Sequence, residues 1–137
     1  MSEDATNGRT LLLVSAHEWA SRTLESVLGP AGFDTQCAYT AHQGLSLALE
    51  ARPLAVVVDM RLPDSSGLAF VERLRADPSF PASTPILLYA HETPTRTQRI
   101  EALRAGAQEL FSDPVDVDLL VAKLDALVRI GAPAPAS

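Results

Sequence analysis

Short unbroken apolar runs alternate along this chain with longer stretches in which apolar residues recur every three or four positions. Residues 10–15 (Thr-Leu-Leu-Leu-Val-Ser) have the look of a strand buried on both faces, because no polar residue interrupts the leucines. Residues 17–28 then place Ala20, Leu24, Val27 and Leu28 at helical spacing, and Gly29-Pro30-Ala31-Gly32 ends that helix. The alternation continues with a strand over 33–38 and a Thr40-capped helix over 41–50 that turns Leu45, Ala48 and Leu49 inward and stops before Pro53. A strand over 54–58 and a helix over 67–76 follow, the helix with Leu68, Val71 and Leu74 on one face. After the loop 77–81, Pro85 introduces a strand over 86–90, and a weaker helix over 95–105 with Ile100 and Leu103 inward ends at Gly106. A short strand over 108–112 precedes an Asp116-capped helix with the apolar stripe Val117, Leu120, Val121, Leu124, Leu127 and Val128. Five strands alternating with five helices predict an α/β fold: a single doubly wound (βα)5 domain on a parallel sheet with right-handed crossovers. That domain spans residues 10–130, with a flexible polar N-terminus over 1–9 and a linker or tail over 131–137 (Gly-Ala-Pro-Ala-Pro-Ala-Ser).

The third strand carries the most informative chemistry. Val56, Val57 and Val58 are β-branched and apolar, and Asp59 stands where that run stops. In an open parallel sheet, ligands bind outside the carboxyl ends of the strands, so a carboxylate at that edge is placed for chemistry. Leu62-Pro63 turns the chain, Ser65 or Ser66 caps the next helix, and Gly67 permits a tight approach.

Composition narrows the function classes. At 137 residues and 47% apolar content the chain suits one folded domain. A net charge of −6 argues against a nucleic-acid-binding surface on this domain. The single cysteine, Cys37, forms no internal disulfide and belongs to no Cys/His metal spacing; as a strand residue it is expected to be a small buried hydrophobe. No apolar run is long enough to span a bilayer, and Glu3 and Asp4 do not suit a secretory signal, so a cytoplasmic location is expected. Ser15-Ala16-His17-Glu18-Trp19, after the first strand, contains no glycine. That absence argues against a P-loop, a dinucleotide site and an enzyme built on either.

The spacing of Asp59, Leu62, Pro63 and Gly67 resembles the phosphoacceptor segment of response-regulator receiver domains, the chemotaxis-type modules of two-component signalling. The element order, Ala105-Gly106-Ala107 before the fifth strand and Pro114 after it extend the resemblance over residues 10–130. The resemblance implies a flavodoxin-like sheet of order 2-1-3-4-5 and Asp59 as the acceptor of a phosphoryl group from a histidine kinase. It also implies a magnesium ion held by an acidic pair after the first strand, by Asp59 and by the Arg61 backbone carbonyl, with a hydroxyl after the fourth strand and a lysine after the fifth on the phosphoryl oxygens.

This chain departs from that pattern at most positions. The acidic pair falls on Ser15 and Ala16, the hydroxyl on Ala90 (Tyr89 if the alignment slips by one), and the lysine on Asp113. Magnesium prefers carboxylate oxygen, so only weak binding is expected, with Glu18 a weak substitute ligand that instead suits its helix N-terminus. Asp113 would repel a phosphoryl group or turn outward before Pro114. The switch aromatic falls on Leu110, while Phe111 faces the other way into the core. His17 and His91 lie on loops at the same edge, where they either supply local positive charge when protonated or, as loop histidines more often are, stay solvated; Arg61 is left to pair with Asp59 or Asp113 or to face solvent. The expectation is a non-enzymatic receiver with impaired magnesium-dependent phosphorylation at Asp59, acting as a protein-interaction module. Its partners would be a histidine kinase or other signalling protein, or a second copy through the helix 4–strand 5–helix 5 face. The alternative is a working phosphoacceptor that regulates an output domain in a longer protein.

Overall fold

The computed structural model describes residues 9–131, apart from the side chains of residues 19, 130 and 131. Most of the expected N-terminal and C-terminal segments therefore lies outside the described residues. Strands β1 (Thr10–Val14), β2 (Asp34–Ala38), β3 (Ala55–Asp59), β4 (Ile86–Ala90) and β5 (Glu109–Ser112) form one sheet of order β2-β1-β3-β4-β5. All neighbours are parallel, as the sequence pattern predicts. Between and after them run α1 (Glu18–Leu28), α2 (Ala41–Ala51), α3 (Gly67–Ala76), α4 (Arg96–Ala105) and α5 (Val117–Gly131).

Because successive strand residues point to opposite faces, each apolar run feeds two cores. Leu12, Val14, Val56, Val58, Ile86 and Leu88 pack with Phe70, Val71 and Leu74 of α3 on one face. Leu11, Leu13, Val57, Leu87 and Tyr89 pack with Ala20, Leu24 and Leu28 of α1 and Leu120 and Leu124 of α5 on the other. Burial of one such side chain is worth about 1.5–3 kcal/mol, against about 1 kcal/mol for a helix cap. The helices are thus held by the sheet faces, with Thr40, Ser66 and Thr95 capping α2, α3 and α4.

Helix faces differ from the periodic reading in places. In α4 the buried positions are Ala102 and Ala105, whereas Ile100 and Leu103 are exposed. The helix lies against α3 through short side chains, and Arg75 of α3 reaches under its end to bond the Gly106 carbonyl at 3.0 Å. Val117 of α5 is also exposed. In α2 the face is centred on Ala41, Gly44 and Ala48, with Leu45 and Leu49 only partly buried; a Cβ on Gly44 would meet Val14 and Phe70 at 3.0 Å.

Two features tie the edge of the sheet together. The Asp64 carboxylate accepts hydrogen bonds from the Ala41 and His42 amides, anchoring the loop after β3 to the start of α2. Gly67 lies so close to the end of β3 that its amide donates to the Met60 carbonyl, and a Cβ there would stand 2.3 Å from the Asp59 carbonyl oxygen. The Gly67→Ala variant is expected to lose roughly 1–3 kcal/mol of stability through this overlap, seen as a lower urea midpoint; an unchanged midpoint would show that the loop yields freely.

Cys37 is half-buried on β2 with its Sγ donating to Glu25 Oε2 at 3.6 Å, a polar contact that a simple buried hydrophobe would lack. Burial first, then the Glu25 charge, pushes its thiol up to about 11. Since the thiolate is the nucleophile, Cys37 should react with thiol reagents at pH 8 much more slowly than a free cysteine. The Glu25→Gln variant should speed that reaction.

Candidate functional site

The sheet order places β3 between β1 and β4, so the loops leaving those two strands flank Asp59. Asp59 is the last residue of β3, one residue further into the strand than the sequence pattern suggests, and only 1% of it is exposed. A carboxylate buried this deeply needs donors or a counter-charge. One oxygen, Oδ1, accepts from the Arg61 amide at 3.0 Å. The other, Oδ2, is met by Ser15 Oγ at 3.1 Å, His17 Nδ1 at 3.1 Å and His91 Nε2 at 2.7 Å.

The two histidines correct the sequence reading. They are not simply solvated loop residues; they converge on the same oxygen with ring centroids 4.4 Å apart. The physical reason is topological: His17 follows β1 and His91 follows β4, so adjacency to β3 decides their partner. The Ser15 hydroxyl also accepts from the His17 amide at 3.1 Å, which shapes the turn into α1. Glu18, by contrast, pairs with Arg22 at 2.8 Å on the exposed face of α1. Ala16 is exposed, and the Arg61 side chain is exposed while its amide faces inward.

On the β5 side, Ala90 ends β4 opposite Ser112 and offers no hydroxyl. Tyr89 stands opposite Asp59 in the strand register, but its ring lies between Phe111 and His91, with centroids 5.1 and 4.8 Å away. Its hydroxyl donates to Asp113 Oδ1. Asp113 thus turns inward, and its Oδ2 lies 3.7 Å from His91 Nδ1. The peptide joining it to Pro114 is cis. Leu110 is buried on the face of α3, opposite to the face that Phe111 packs against. An open cavity of about 310 Å³ adjoins the cluster, lined by His17, Met60, Arg61, Ala90, His91 and Thr93 among others.

Burial foremost, then the bond to Asp113 and the charges of Asp113 and Asp59, raises the Tyr89 phenol well above its ordinary value. The fold therefore favours the neutral phenol. Its contribution to stability is fully present below the unfolded tyrosine pKa of about 10 and is lost as pH rises beyond it. An alkaline ultraviolet titration, with Tyr89→Phe as the difference reference, should show Tyr89 ionising above free tyrosine, and Asp113→Asn should bring it down.

A family model described as the response regulator receiver domain matches residues 11–125. The regulatory protein AtoC of Escherichia coli is 30% identical over 110 residues, covering 80% of this chain and 23% of AtoC. The DNA-binding dual master transcriptional regulator RpaA of Synechocystis is 30% identical over 99 residues, 72% of this chain and 40% of its own length. This chain thus spans less than half the length of either relative. Among solved structures, the chemotaxis protein CheY4 of Vibrio cholerae superposes with a TM-score of 0.79 at 24% identity, covering 87% of this chain and 98% of that one. A CheY-like receiver domain protein from Methanospirillum hungatei gives 0.80 at 19%, over 90% and 95% of the two chains. At these identities the structural likeness speaks to the fold.

Proposed function

The chain belongs to the response-regulator receiver family, and on that premise we propose that it is an atypical receiver, a protein-interaction module whose Asp59 is not loaded by magnesium-dependent phosphoryl transfer. The observation that carries this reading is the crowding of Asp59 Oδ2 by three polar partners. These are the Ser15 hydroxyl and the two imidazoles, and the Arg61 amide takes one of the two acceptor sites of Oδ1. An attacking oxygen would first have to shed these partners.

The donor set argues the same way. Magnesium favours an octahedron of oxygens, built from carboxylates and retained waters. Beside Asp59 this pocket offers one neutral hydroxyl, at Ser15, and two imidazole nitrogens, so the residues do not fit magnesium. The position where receivers carry a lysine holds Asp113, and the hydroxyl position holds Ala90. Neither can neutralise the charge that develops on a transferring phosphoryl group.

The interaction reading is supported by the surface. Of the five large hydrophobics that are exposed among the described residues, Ile100 and Leu103 lie on α4 and Val117 and Leu119 on α5, the helices flanking edge strand β5. A histidine kinase, another signalling protein or a second copy would dock there. Residues 10–130 form the receiver unit in this reading, joined to or acting on an output domain in the cytoplasm. The chain's net charge of −6 supports a reading in which this unit makes no nucleic-acid contact of its own. No helix among the described residues is long and apolar enough to cross a membrane.

One observation keeps a second reading in play: the loop from Asp59 to Gly67 retains the close backbone approach that presents a phosphoacceptor at the sheet edge. Titration with magnesium and beryllofluoride, followed by amide NMR shifts around Asp59, separates the two. We expect no response at millimolar magnesium, and no aspartyl phosphate by intact mass after treatment with acetyl phosphate. A saturable response that disappears in Asp59→Asn would establish the second reading and overturn the first.

A further inference from the structure

We propose that His17, Asp59 and His91 form a binding site for a borderline divalent transition metal of the zinc class. This goes beyond the functional reading above, because it stands on the donor set and not on whether Asp59 accepts phosphate.

The three side chains present His17 Nδ1, Asp59 Oδ2 and His91 Nε2, all within 4.8 Å of one another. Two imidazoles and one carboxylate are a donor set that zinc uses when it keeps a position open for water or another ligand. Imidazole nitrogen suits zinc, copper and nickel, whereas magnesium, calcium and manganese prefer oxygen. A tetrahedral ion with bonds of about 2.0–2.2 Å places its ligand atoms roughly 3.3 Å apart. Two edges of the triangle here measure 3.1 and 2.7 Å. Seating an ion needs the His17 edge to open by about 0.2 Å and the His91 edge by about 0.6 Å. The His17 side chain is 45% exposed, which leaves it room to move, while Asp59 is fixed and buried.

Three further observations point to the same ligand. The pocket buries a carboxylate whose ion-pair partners among the described residues are these two histidines, with no lysine or arginine among them. A divalent cation would supply the missing charge. His91 turns its other nitrogen, Nδ1, toward Asp113 Oδ2 at 3.7 Å. Metal-bound histidines characteristically have a carboxylate or carbonyl behind the free nitrogen, fixing the ring. Asp113, which suits a phosphoryl pocket poorly, suits that supporting place. Finally, His17 and His91 also line the 310 Å³ cavity together with Arg61, Thr93 and Gln98, which has room for a water or small anion as the remaining ligand. Because the three ligands come from the loops after β1 and β4 and the end of β3, a bound ion would lock the receiver edge in one conformation. Metal occupancy would then take the place of a phosphoryl group as the signal.

The test is calorimetric titration of the metal-free protein with zinc chloride, and with cobalt chloride followed by visible absorption. We expect one equivalent to bind, with the intense absorption of tetrahedral cobalt. His17→Gln, His91→Gln and Asp59→Asn should each weaken binding at least tenfold. Asp113→Asn should weaken it about tenfold, in the range found for residues that support metal ligands. Circular dichroism confirms that each variant is folded. Cys37→Ser and His42→Gln remove the other thiol and imidazole among the described residues and should leave binding unchanged. Absence of binding at micromolar zinc overturns the proposal. So does binding that is lost in Cys37→Ser or His42→Gln but kept in His91→Gln. A magnesium–beryllofluoride response would sink the functional reading and leave this proposal standing, while failure to bind zinc would do the reverse.

Discussion

The Asp59 carboxylate has been taken almost wholly out of water at the end of the central strand, and the architecture around it follows from that single placement. An ionised carboxylate without compensation is among the least tolerated groups in a protein interior. The compensation comes from the Arg61 amide two residues on and from two segments distant in sequence: the Ser15 hydroxyl and His17 after β1, and His91 after β4. Neither Ser15 and His17 nor His91 would reach Asp59 if the sheet were ordered differently. Gly67 belongs to the same arrangement, since its missing side chain lets α3 start against the backbone of Asp59 and Met60.

On the proposed assignment of pocket positions, one electrostatic design has been substituted for another. A receiver pocket built on acidic residues and a lysine concentrates charge for a hard cation and a phosphoryl group. Here the acidic pair has become a hydroxyl donor and an alanine, and the cationic position has become an acid that accepts from Tyr89 and stands behind His91. Read one at a time, these changes look like losses. Read together, they leave a buried carboxylate, two imidazoles converging on it and a second carboxylate orienting one of them. The inward turn of Asp113 is the part hardest to reconcile with phosphoryl chemistry and easiest to reconcile with histidine ligation.

Around this edge the fold is held by ordinary means. Two apolar layers clamp the sheet, and α4 rests on alanines in place of the isoleucine and leucine that its periodicity offers. Leaving Ile100 and Leu103 in solvent puts four of the five exposed large hydrophobics among the described residues on the two helices next to β5, with Val117 and Leu119 the other two. The same choice of helix face thus links packing to the surface on which partners are proposed to dock.

Much of this was legible in the order of residues alone. Apolar runs and helical stripes are local properties, so the five strands, the five helices and their parallel sheet could be read directly, as could Asp59, Leu62, Pro63 and Gly67. The receiver resemblance also implied which pocket residues would be missing. It could not show what replaced them. Whether a loop histidine is solvated or bonded to a carboxylate depends on which strands are neighbours, and His17 and His91 lie far from Asp59 in sequence. The available signal was positional, since each histidine follows a strand that flanks β3. The inner face of α4 was misread for a related reason: periodicity finds the apolar residues of a helix, but the space left by α3 and the sheet decides which of them fit. Local patterning therefore determined the fold and the acceptor-like carboxylate, while strand adjacency and packing distance alone decided the chemistry gathered around it.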